Sequence, residues 1–216
     1  MKKTALIGAS GFVGSAILKE LLDRGYAVEA LVRNPDNVKA ENPNLTVKKV
    51  DVADTDALAA DLKGYDTVIS AYNPGWTNPD IYDLTLQNYP RILEAAKKAG
   101  VKRLLIVGGA GTLFCAPGLR VVDSGAIPAE IMGGVKSLGE FYLDTLDNEK
   151  SIDWVFFSPA GMLEPGEATG TYRLGKDDLI VDSKGKSHIS VGDYAKAMVD
   201  ELEHPAHHQE RFTIGY

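Results

Sequence analysis

Short apolar segments alternate with amphipathic segments along most of the chain. Residues 4–8 form a continuous apolar run that ends in glycine, as expected of a strand buried on both faces of a sheet. Helical spacing follows at once, because apolar residues recur every three or four positions from Val13 to Leu22. The same alternation predicts strands at residues 4–8, 27–32, 45–50, 67–71, 103–107, 153–157 and 211–215. This rhythm indicates a parallel, doubly wound α/β sheet with right-handed crossovers.

Three further segments have the periodicity of helices. Residues 54–64 follow the third strand and carry helical start and stop signals. Residues 80–100 form a longer segment with Pro90 inside it, which predicts a kink or break just before that proline. Residues 191–205 are the last predicted helix, with Asp193 as the expected cap.

The pattern changes over residues 158–190, which are rich in glycine, proline and polar residues. We expect loops and short strands there, lying over the carboxyl edge of the sheet, where open α/β sheets bind ligands. Residues 1–216 are therefore predicted to form one domain, a Rossmann-type α/β fold with a small C-terminal cap on the substrate side.

A glycine-rich turn joins the first strand to the first helix. Gly8, Gly11 and Gly14 stand three residues apart in the sequence GASGFVG. In such turns the first glycine makes the tight turn, the second lets the backbone approach a pyrophosphate, and the third lets helix and strand pack closely. The helix N-terminus adds free N–H donors. We therefore expect a dinucleotide site whose pyrophosphate lies against Gly8, Ser10, Gly11, Phe12 and Val13.

The end of the second predicted strand bears on the choice of dinucleotide. Sites for NAD usually place a carboxylate there, whereas sites for NADP place an arginine nearby. This chain has Arg33 and no carboxylate at that point, so NADP(H) is predicted as the preferred cofactor and NAD(H) as a possible one. After the third strand, Asp51 and Val52 are placed to contact the adenine ring.

Composition narrows the functional classes. The 216-residue chain carries a net charge of −7 and no basic block, so neither nucleic acid nor a membrane surface is an expected partner. No apolar run approaches the roughly 20 residues that span a bilayer. The single cysteine, Cys115, fits a reducing compartment, and we expect a cytoplasmic protein. The histidines of residues 204–208 lack cysteines and suitably spaced carboxylates, so no metal site is predicted.

Several segments resemble one family. The sequences GASGFVG and VDVAD are similar to motifs of the atypical branch of the short-chain dehydrogenase/reductase superfamily. More specific likenesses lie in VGGAGTL (107–113), DWVFFSPAGMLEPGEATGTYRLG (153–175), ISVGDYAKAMVDELEHP (189–205) and RFTIGY (211–216). These resemble small bacterial NAD(P)H-binding proteins of the NADH–flavin reductase group, which are similar in turn to biliverdin reductase B and NmrA-like proteins.

The resemblance includes one departure. Standard superfamily members use a tyrosine, and a lysine four residues later, to exchange a proton with the substrate. Here Lys136 aligns with the lysine, but Met132 stands at the tyrosine position, and Tyr142 follows six residues after the lysine. This difference disfavours carbonyl reduction and sugar epimerisation, which need such a group. It is compatible with hydride transfer to a flavin, since water can supply the proton.

The resemblance also implies site residues beyond the first turn. Ala71 and Tyr72 are expected on the ribose side of the cofactor, and Gly108 and Pro159 after the two later strands that flank the nicotinamide. Lys136 is expected either to hold the nicotinamide ribose or to be an ordinary lysine on a helix surface. Thr112 is expected either to bind the substrate or to satisfy loop backbone.

Three functions remain open at this point. The first is a reductase acting on a flavin or a similar small planar acceptor, on which Tyr72, Trp76 and Tyr82 could stack if they do not simply cover the core. The second is an NmrA-like sensor that binds dinucleotide without turnover. The third is an epimerase or dehydratase of sugar nucleotides, disfavoured by Met132 and the short region after residue 158. A homo-oligomer is possible in each case.

Overall fold

A computed structural model describes residues 2–216, and its centre is an eight-stranded sheet. Its strands are β1 (Lys3–Ile7), β2 (Ala27–Val32), β3 (Leu45–Lys49), β4 (Thr67–Ser70), β5 (Arg103–Val107), β8 (Asp153–Ser158), β10 (Arg173–Gly175) and β12 (Glu210–Gly215). The strand order is β10-β12-β8-β5-β4-β1-β2-β3, and every neighbouring pair is parallel except β10 with β12. The predicted Rossmann-type sheet is confirmed.

Five helices cover the two faces of the sheet: α1 (Phe12–Asp23), α2 (Thr55–Leu62), α3 (Ile81–Ala99), α4 (Ala129–Glu140) and α5 (Val191–Glu203). A π-helical segment, Phe141–Leu146, continues α4. Two short two-stranded sheets complete the fold, β6 (Phe114–Ala116) with β7 (Leu119–Arg120), and β9 (Met162–Glu164) with β11 (His188–Ser190). Within residues 2–216 no helix is long and apolar enough to cross a membrane.

Alternation along the central strands divides the core into two halves. Leu6 of β1 and Leu105 of β5 face one half, with α1 and α5, whereas Ile7 and Leu104 face the other, with α2 and α3. All four of these side chains are buried. Burial on both faces explains why the central strands are uniformly apolar, and hence why the sequence pattern predicted them.

The order in which the chain adds strands reverses in the middle of the sheet. Strand β1 lies between β2 and β4, and the chain proceeds to β3 on one side and to β5, β8 and β12 on the other. The two sets of crossovers therefore diverge outside the carboxyl ends of β1 and β4, leaving a crevice. Open α/β sheets bind ligands in such a crevice.

Two local predictions concern helices α3 and α5. The predicted break at Pro90 is wrong, because α3 continues through that residue, whereas a kink there stays a prediction. Asp193 does not cap α5; the Ser190 hydroxyl instead accepts a hydrogen bond from the Asp193 N–H at 3.0 Å, so Ser190 is the cap. The Asp193 carboxylate is buried and binds the neighbouring loop.

Residues 158–190 contain the expected loops and short strands, but they do not act only as a cap. Strand β10 within this region joins the edge of the main sheet beside β12. Strands β9 and β11 pair with each other in parallel, which places the segment directly after β8 beside the start of α5. The hairpin of β6 and β7 was not predicted, because each strand is only two or three residues long.

Candidate functional site

The three glycines of the first turn have different surroundings. Gly8 has a φ of +81°, and a Cβ there would lie 2.6 Å from the Ala71 carbonyl oxygen. A Cβ on Gly14 would lie 2.0 Å from the Gly8 carbonyl oxygen. Gly11 is different, because the nearest atom to its Cβ would be the Gly8 oxygen at 3.6 Å. Gly8 and Gly14 are thus required by close packing, whereas Gly11 leaves space in front of the helix.

The N-terminus of α1 offers unoccupied donors. Its N-cap residue is Gly11, which provides no side-chain hydrogen bond, and the first turn contains no acidic residue. The first N–H groups of a helix have no partner within the helix, and together with the helix dipole they favour an anion. With the space at Gly11, this arrangement fits a pyrophosphate held by the N–H groups around Phe12 and Val13.

A cleft of about 680 Å³ opens at the carboxyl ends of β1, β2, β3 and β4. It coincides with the reversal of strand order described above. The structure brings eight of the predicted cofactor residues together in its lining: Gly8, Ser10, Gly11, Arg33, Asp51, Val52, Ala71 and Tyr72. These residues come from four separate turns, so their convergence is a consequence of the sheet topology.

Two charged side chains at the rim of the cleft, those of Arg33 and Asp51, keep atoms that can contact a ligand. Arg33 is exposed and, among residues 2–216, forms no hydrogen bond or ion pair. Asp51 uses one carboxylate oxygen to accept the Ala53 N–H at 2.9 Å, which fixes the turn after β3. The guanidinium of Arg33 therefore has all its donors available for a phosphate or ribose group.

Helix α3 contributes a part of the cleft that sequence reasoning missed. Leu84, Gln87, Asn88 and Arg91 line it. Asn88 is buried and donates from Nδ2 to the Tyr72 hydroxyl at 2.7 Å, while Arg91 donates from Nη1 to the Asn88 Oδ1 at 3.0 Å. The spacing of residues 84, 87, 88 and 91 places them on one helical face, a signal visible in the sequence.

Tyr72 is held from two sides. The Tyr89 hydroxyl donates to the Tyr72 carbonyl oxygen at 2.6 Å, and the two rings meet edge to face at 5.5 Å. Burial raises the pKa of the Tyr72 phenol, and the hydrogen bond from Asn88 and the charge of Arg33 only partly oppose it. The phenol is therefore protonated at neutral pH and can act as a donor.

Four predicted cofactor residues lie outside the lining of the cleft. Phe12 and Val13 begin α1, and Phe12 is half exposed at 50%. Gly108 follows β5, and a Cβ there would lie 2.6 Å from the Phe156 ring, so its packing alone requires glycine. Pro159 follows β8. Their contact with a cofactor stays a prediction.

The two residues predicted near the reaction centre have different environments. Lys136 lies on α4, is exposed, and forms no hydrogen bond or ion pair with another residue of the described chain. Thr112 is buried, and its hydroxyl accepts a hydrogen bond from the buried guanidinium of Arg211 at 2.6 Å. Arg211 is also paired with Asp177 at 2.6 Å. The Thr112 hydroxyl thus has a protein partner, Arg211, and a contact of Thr112 with a substrate stays a prediction.

The remaining candidates, two aromatic residues and two histidines, lie in different parts of the structure. Trp76 is 49% exposed and lies beside Gly134 of α4, where a Cβ would be 2.8 Å from its ring. Tyr82 is tied to Glu140, so it joins α3 to α4. His207 and His208 belong to an ion network centred on the buried Arg103, whose other members are Asp153 and Glu201.

Comparison with known proteins agrees with this geometry. A family model described as NAD(P)H-binding matches residues 8–205. YwnB, an uncharacterized protein of Bacillus subtilis, is 40% identical over 98% of this chain and 97% of its own length. A crystal structure of a candidate epimerase from Bacteroides thetaiotaomicron is 62% identical with a TM-score of 0.95, covering 100% of this chain and 97% of that one. A candidate NADH–flavin reductase from Streptococcus pneumoniae is 35% identical with a TM-score of 0.82, covering 100% and 99%.

Proposed function

The chain belongs to the NAD(P)H-binding family, and from that premise we propose that it is a reductase that uses NADPH in preference to NADH. The acceptor we propose is a flavin or a similar small planar molecule. The bound dinucleotide supplies two electrons as a hydride, and one proton from water completes reduction of the flavin. The similarity to the streptococcal NADH–flavin reductase candidate supports this choice of acceptor.

One observation carries the preference for NADPH. Arg33 lies at the rim of the cleft after β2, exposed and without a partner among the described residues, where a 2′-phosphate on the adenosine ribose would lie. A guanidinium can bind such a phosphate with two charge-assisted hydrogen bonds. No carboxylate follows β2 directly to bind the free hydroxyl of NADH.

The remaining residues of the site bind the dinucleotide and orient it toward the acceptor. Gly11 and the start of α1 receive the pyrophosphate, and Asp51 with Val52 contacts the adenine ring. The exposed ring of Trp76, which lies beside Gly134 of α4, supplies apolar surface for a planar acceptor. We also assign Lys136, whose side chain has no hydrogen-bond or ion-pair partner among residues 2–216, to the nicotinamide ribose. We propose a cytoplasmic location, since the exposed thiol of Cys115 suits a reducing compartment.

A second function is favoured by one specific observation. Met132 occupies the position where the resemblance implies an acid–base tyrosine, and Tyr142 is buried, with the Arg211 guanidinium 4.9 Å from its ring centroid. Neither of these two positions therefore supplies a tyrosine that could exchange a proton with a substrate hydroxyl. A dinucleotide sensor that binds NADPH without turnover is compatible with such a site.

The test is NADPH oxidation followed at 340 nm with excess FMN, in parallel with NADH. The variant Arg33→Ala removes the proposed 2′-phosphate contact, and Lys63→Ala is the control, because it removes one exposed positive charge just after α2, away from the cleft. We expect wild type and Lys63→Ala to prefer NADPH. Arg33→Ala should lose about tenfold or more in kcat/KM for NADPH and little for NADH, as a charge-assisted contact is worth about 1.5–3 kcal/mol.

The outcomes separate the two candidate functions. Turnover with the expected response of Arg33→Ala supports an NADPH-dependent reductase. Turnover that is equal with both dinucleotides would contradict the role of Arg33. Tight binding of NADPH with no oxidation by FMN or other flavins would favour the sensor instead.

A further inference from the structure

A chain of three polar side chains leads from the surface of α3 to the floor of the cleft. Arg91 donates to the Asn88 Oδ1 at 3.0 Å, and Asn88 donates from Nδ2 to the Tyr72 hydroxyl oxygen at 2.7 Å. Asn88 is only 5% exposed, so water does not compete strongly for its amide. We refer to Arg91, Asn88 and Tyr72 together as the α3 relay.

The direction of these hydrogen bonds is fixed by chemistry. A guanidinium has donors only, so the Asn88 amide must turn its oxygen toward Arg91. The NH2 group of the amide then faces Tyr72, and the phenol oxygen must accept. Because the phenol has one proton, and the structure shows no acceptor for it among residues 2–216, this proton is available to the cleft.

The position of Tyr72 indicates which half of a dinucleotide it meets. It directly follows Ala71, whose carbonyl oxygen abuts Gly8 in the pyrophosphate turn. Tyr72 also lines the same cleft as Arg33 and Asp51, the residues assigned to the adenosine end. We therefore assign the phenol to the adenosine half of the dinucleotide.

We propose that Tyr72 donates a hydrogen bond to a ribose or phosphate oxygen in the adenosine half of the dinucleotide, and that Asn88 and Arg91 are positioning residues that impose this direction. The inference rests on the proposed function only in requiring that the cleft binds NADP(H). It does not depend on turnover or on the identity of the acceptor.

The direction of the relay can be reversed without changing its shape. In Asn88→Asp the carboxylate accepts from Arg91 and also from Tyr72, so the phenol proton turns toward α3 and away from the ligand. Tyr72→Phe removes the proton but keeps the ring that packs on Tyr89. Asn44→Asp, just before β3 and outside the lining of the cleft, adds the same charge and is the control, because the Asn44 side chain forms no hydrogen bond among residues 2–216.

The experiment is a calorimetric titration of each variant with NADPH, with 2′-phospho-ADP-ribose and with nicotinamide mononucleotide. We expect Asn88→Asp and Tyr72→Phe each to bind NADPH about five- to tenfold more weakly, the loss of one hydrogen bond. The phospho-ADP-ribose fragment should show the same loss, and the mononucleotide should show none. Asn44→Asp should bind all three ligands as wild type does.

The double variant distinguishes direction from simple repulsion. If Asn88→Asp acts through the Tyr72 proton, it should cause no further loss of affinity in the Tyr72→Phe background. A further loss of the same size would show that the added charge merely repels the ligand, and the proposal would fall. It would also fall if Tyr72→Phe bound NADPH as wild type does.

Failure of the wider proposal has a separate signature. A wild-type protein that binds neither NADPH nor phospho-ADP-ribose would contradict the dinucleotide site itself, and the relay with it. Wild-type binding with unaffected variants would contradict the relay alone. Arg91→Lys provides a rescue test, because lysine also only donates and should retain most of the wild-type affinity.

Discussion

The glycines of the glycine-rich turn belong to one motif, but each is present for a different physical reason. Gly14 has no room for a methyl group, since a Cβ would overlap the Gly8 carbonyl at 2.0 Å. Gly11 adopts a φ of −77° that any residue can adopt, and the space beside it is open. The sequence identified the motif, but only the packed structure separates the glycine needed for folding from the one that leaves room for a ligand.

This difference predicts opposite effects of the same substitution. Gly14→Ala should lower the free energy of unfolding by about 1–3 kcal/mol or more, because the methyl group meets backbone rather than a flexible side chain. Gly11→Ala should have a free energy of unfolding within about 0.5 kcal/mol of the wild-type value. It should nevertheless bind NADPH at least about tenfold more weakly, since its methyl group occupies the approach to the phosphates. Urea unfolding and calorimetric titration measure the two effects. A stable Gly11→Ala protein with unchanged affinity would contradict the pyrophosphate assignment.

At the scale of elements, the strands were predictable and some details of the helices were not. Strands β1, β2, β4 and β5 are marked in sequence by short apolar runs that the sheet largely buries, whereas β3 at the edge leaves three of its five residues exposed. Pro90 suggested a break because proline lacks an N–H donor, but α3 packs against both α2 and α4, and such packing outweighs local propensity. The cap of α5 was misassigned because Ser190 and Asp193 are both good capping residues.

The structure gives Asp193 a different function, as the anchor between α5 and the loop before β10. Its carboxylate accepts the N–H groups of Thr169 at 2.9 Å and Gly170 at 2.8 Å, and the Tyr216 hydroxyl at 2.6 Å. Burial alone would raise the pKa of Asp193, but these hydrogen bonds outweigh it and hold the pKa below its usual 3.8. Such a carboxylate stabilises the fold in its ionised form.

The stability of this anchor should depend on pH. Because the folded pKa is depressed, the contribution of Asp193 is complete above its unfolded value of 3.8 and is lost as the pH falls through the lower folded value. Asp193→Asn should therefore cost about 1–3 kcal/mol at pH 7, and the difference from wild type should shrink below pH 3.8. Urea unfolding of wild type and Asp193→Asn, from pH 7 to below pH 3.8, measures this difference in the free energy of unfolding. A difference that stays constant with pH would contradict the role of the ionised carboxylate.

At the scale of the whole molecule, the sheet order assembles the site. Residues that follow β1, β2, β3 and β4 are separated by long stretches of sequence but meet at one edge, because parallel strands all end there. That rule made Gly8, Arg33, Asp51 and Tyr72 predictable from the strand ends. Asn88 and Arg91 were not predictable in the same way, because their contribution depends on which face of α3 is turned toward β4.

The same limit applies to residues whose partners are distant in sequence. Thr112 follows β5 closely, where a substrate contact was reasonable, yet its partner Arg211 comes from the last strand. Likewise, the histidines of residues 207–208 meet Arg103 and Asp153 across the sheet. Sequence spacing cannot show such long-range pairs, whereas the strand order explains them directly.

The central claim is that the cleft at the carboxyl ends of β1 to β4 binds a reduced dinucleotide and selects NADPH over NADH. Its most direct test is a calorimetric titration of the wild-type protein with NADPH and, separately, with NADH. We predict saturable binding of one NADPH per chain, with a Kd at least about tenfold lower than that for NADH, which corresponds to about 1.4 kcal/mol. The absence of saturable binding by either dinucleotide would contradict the assignment of the site.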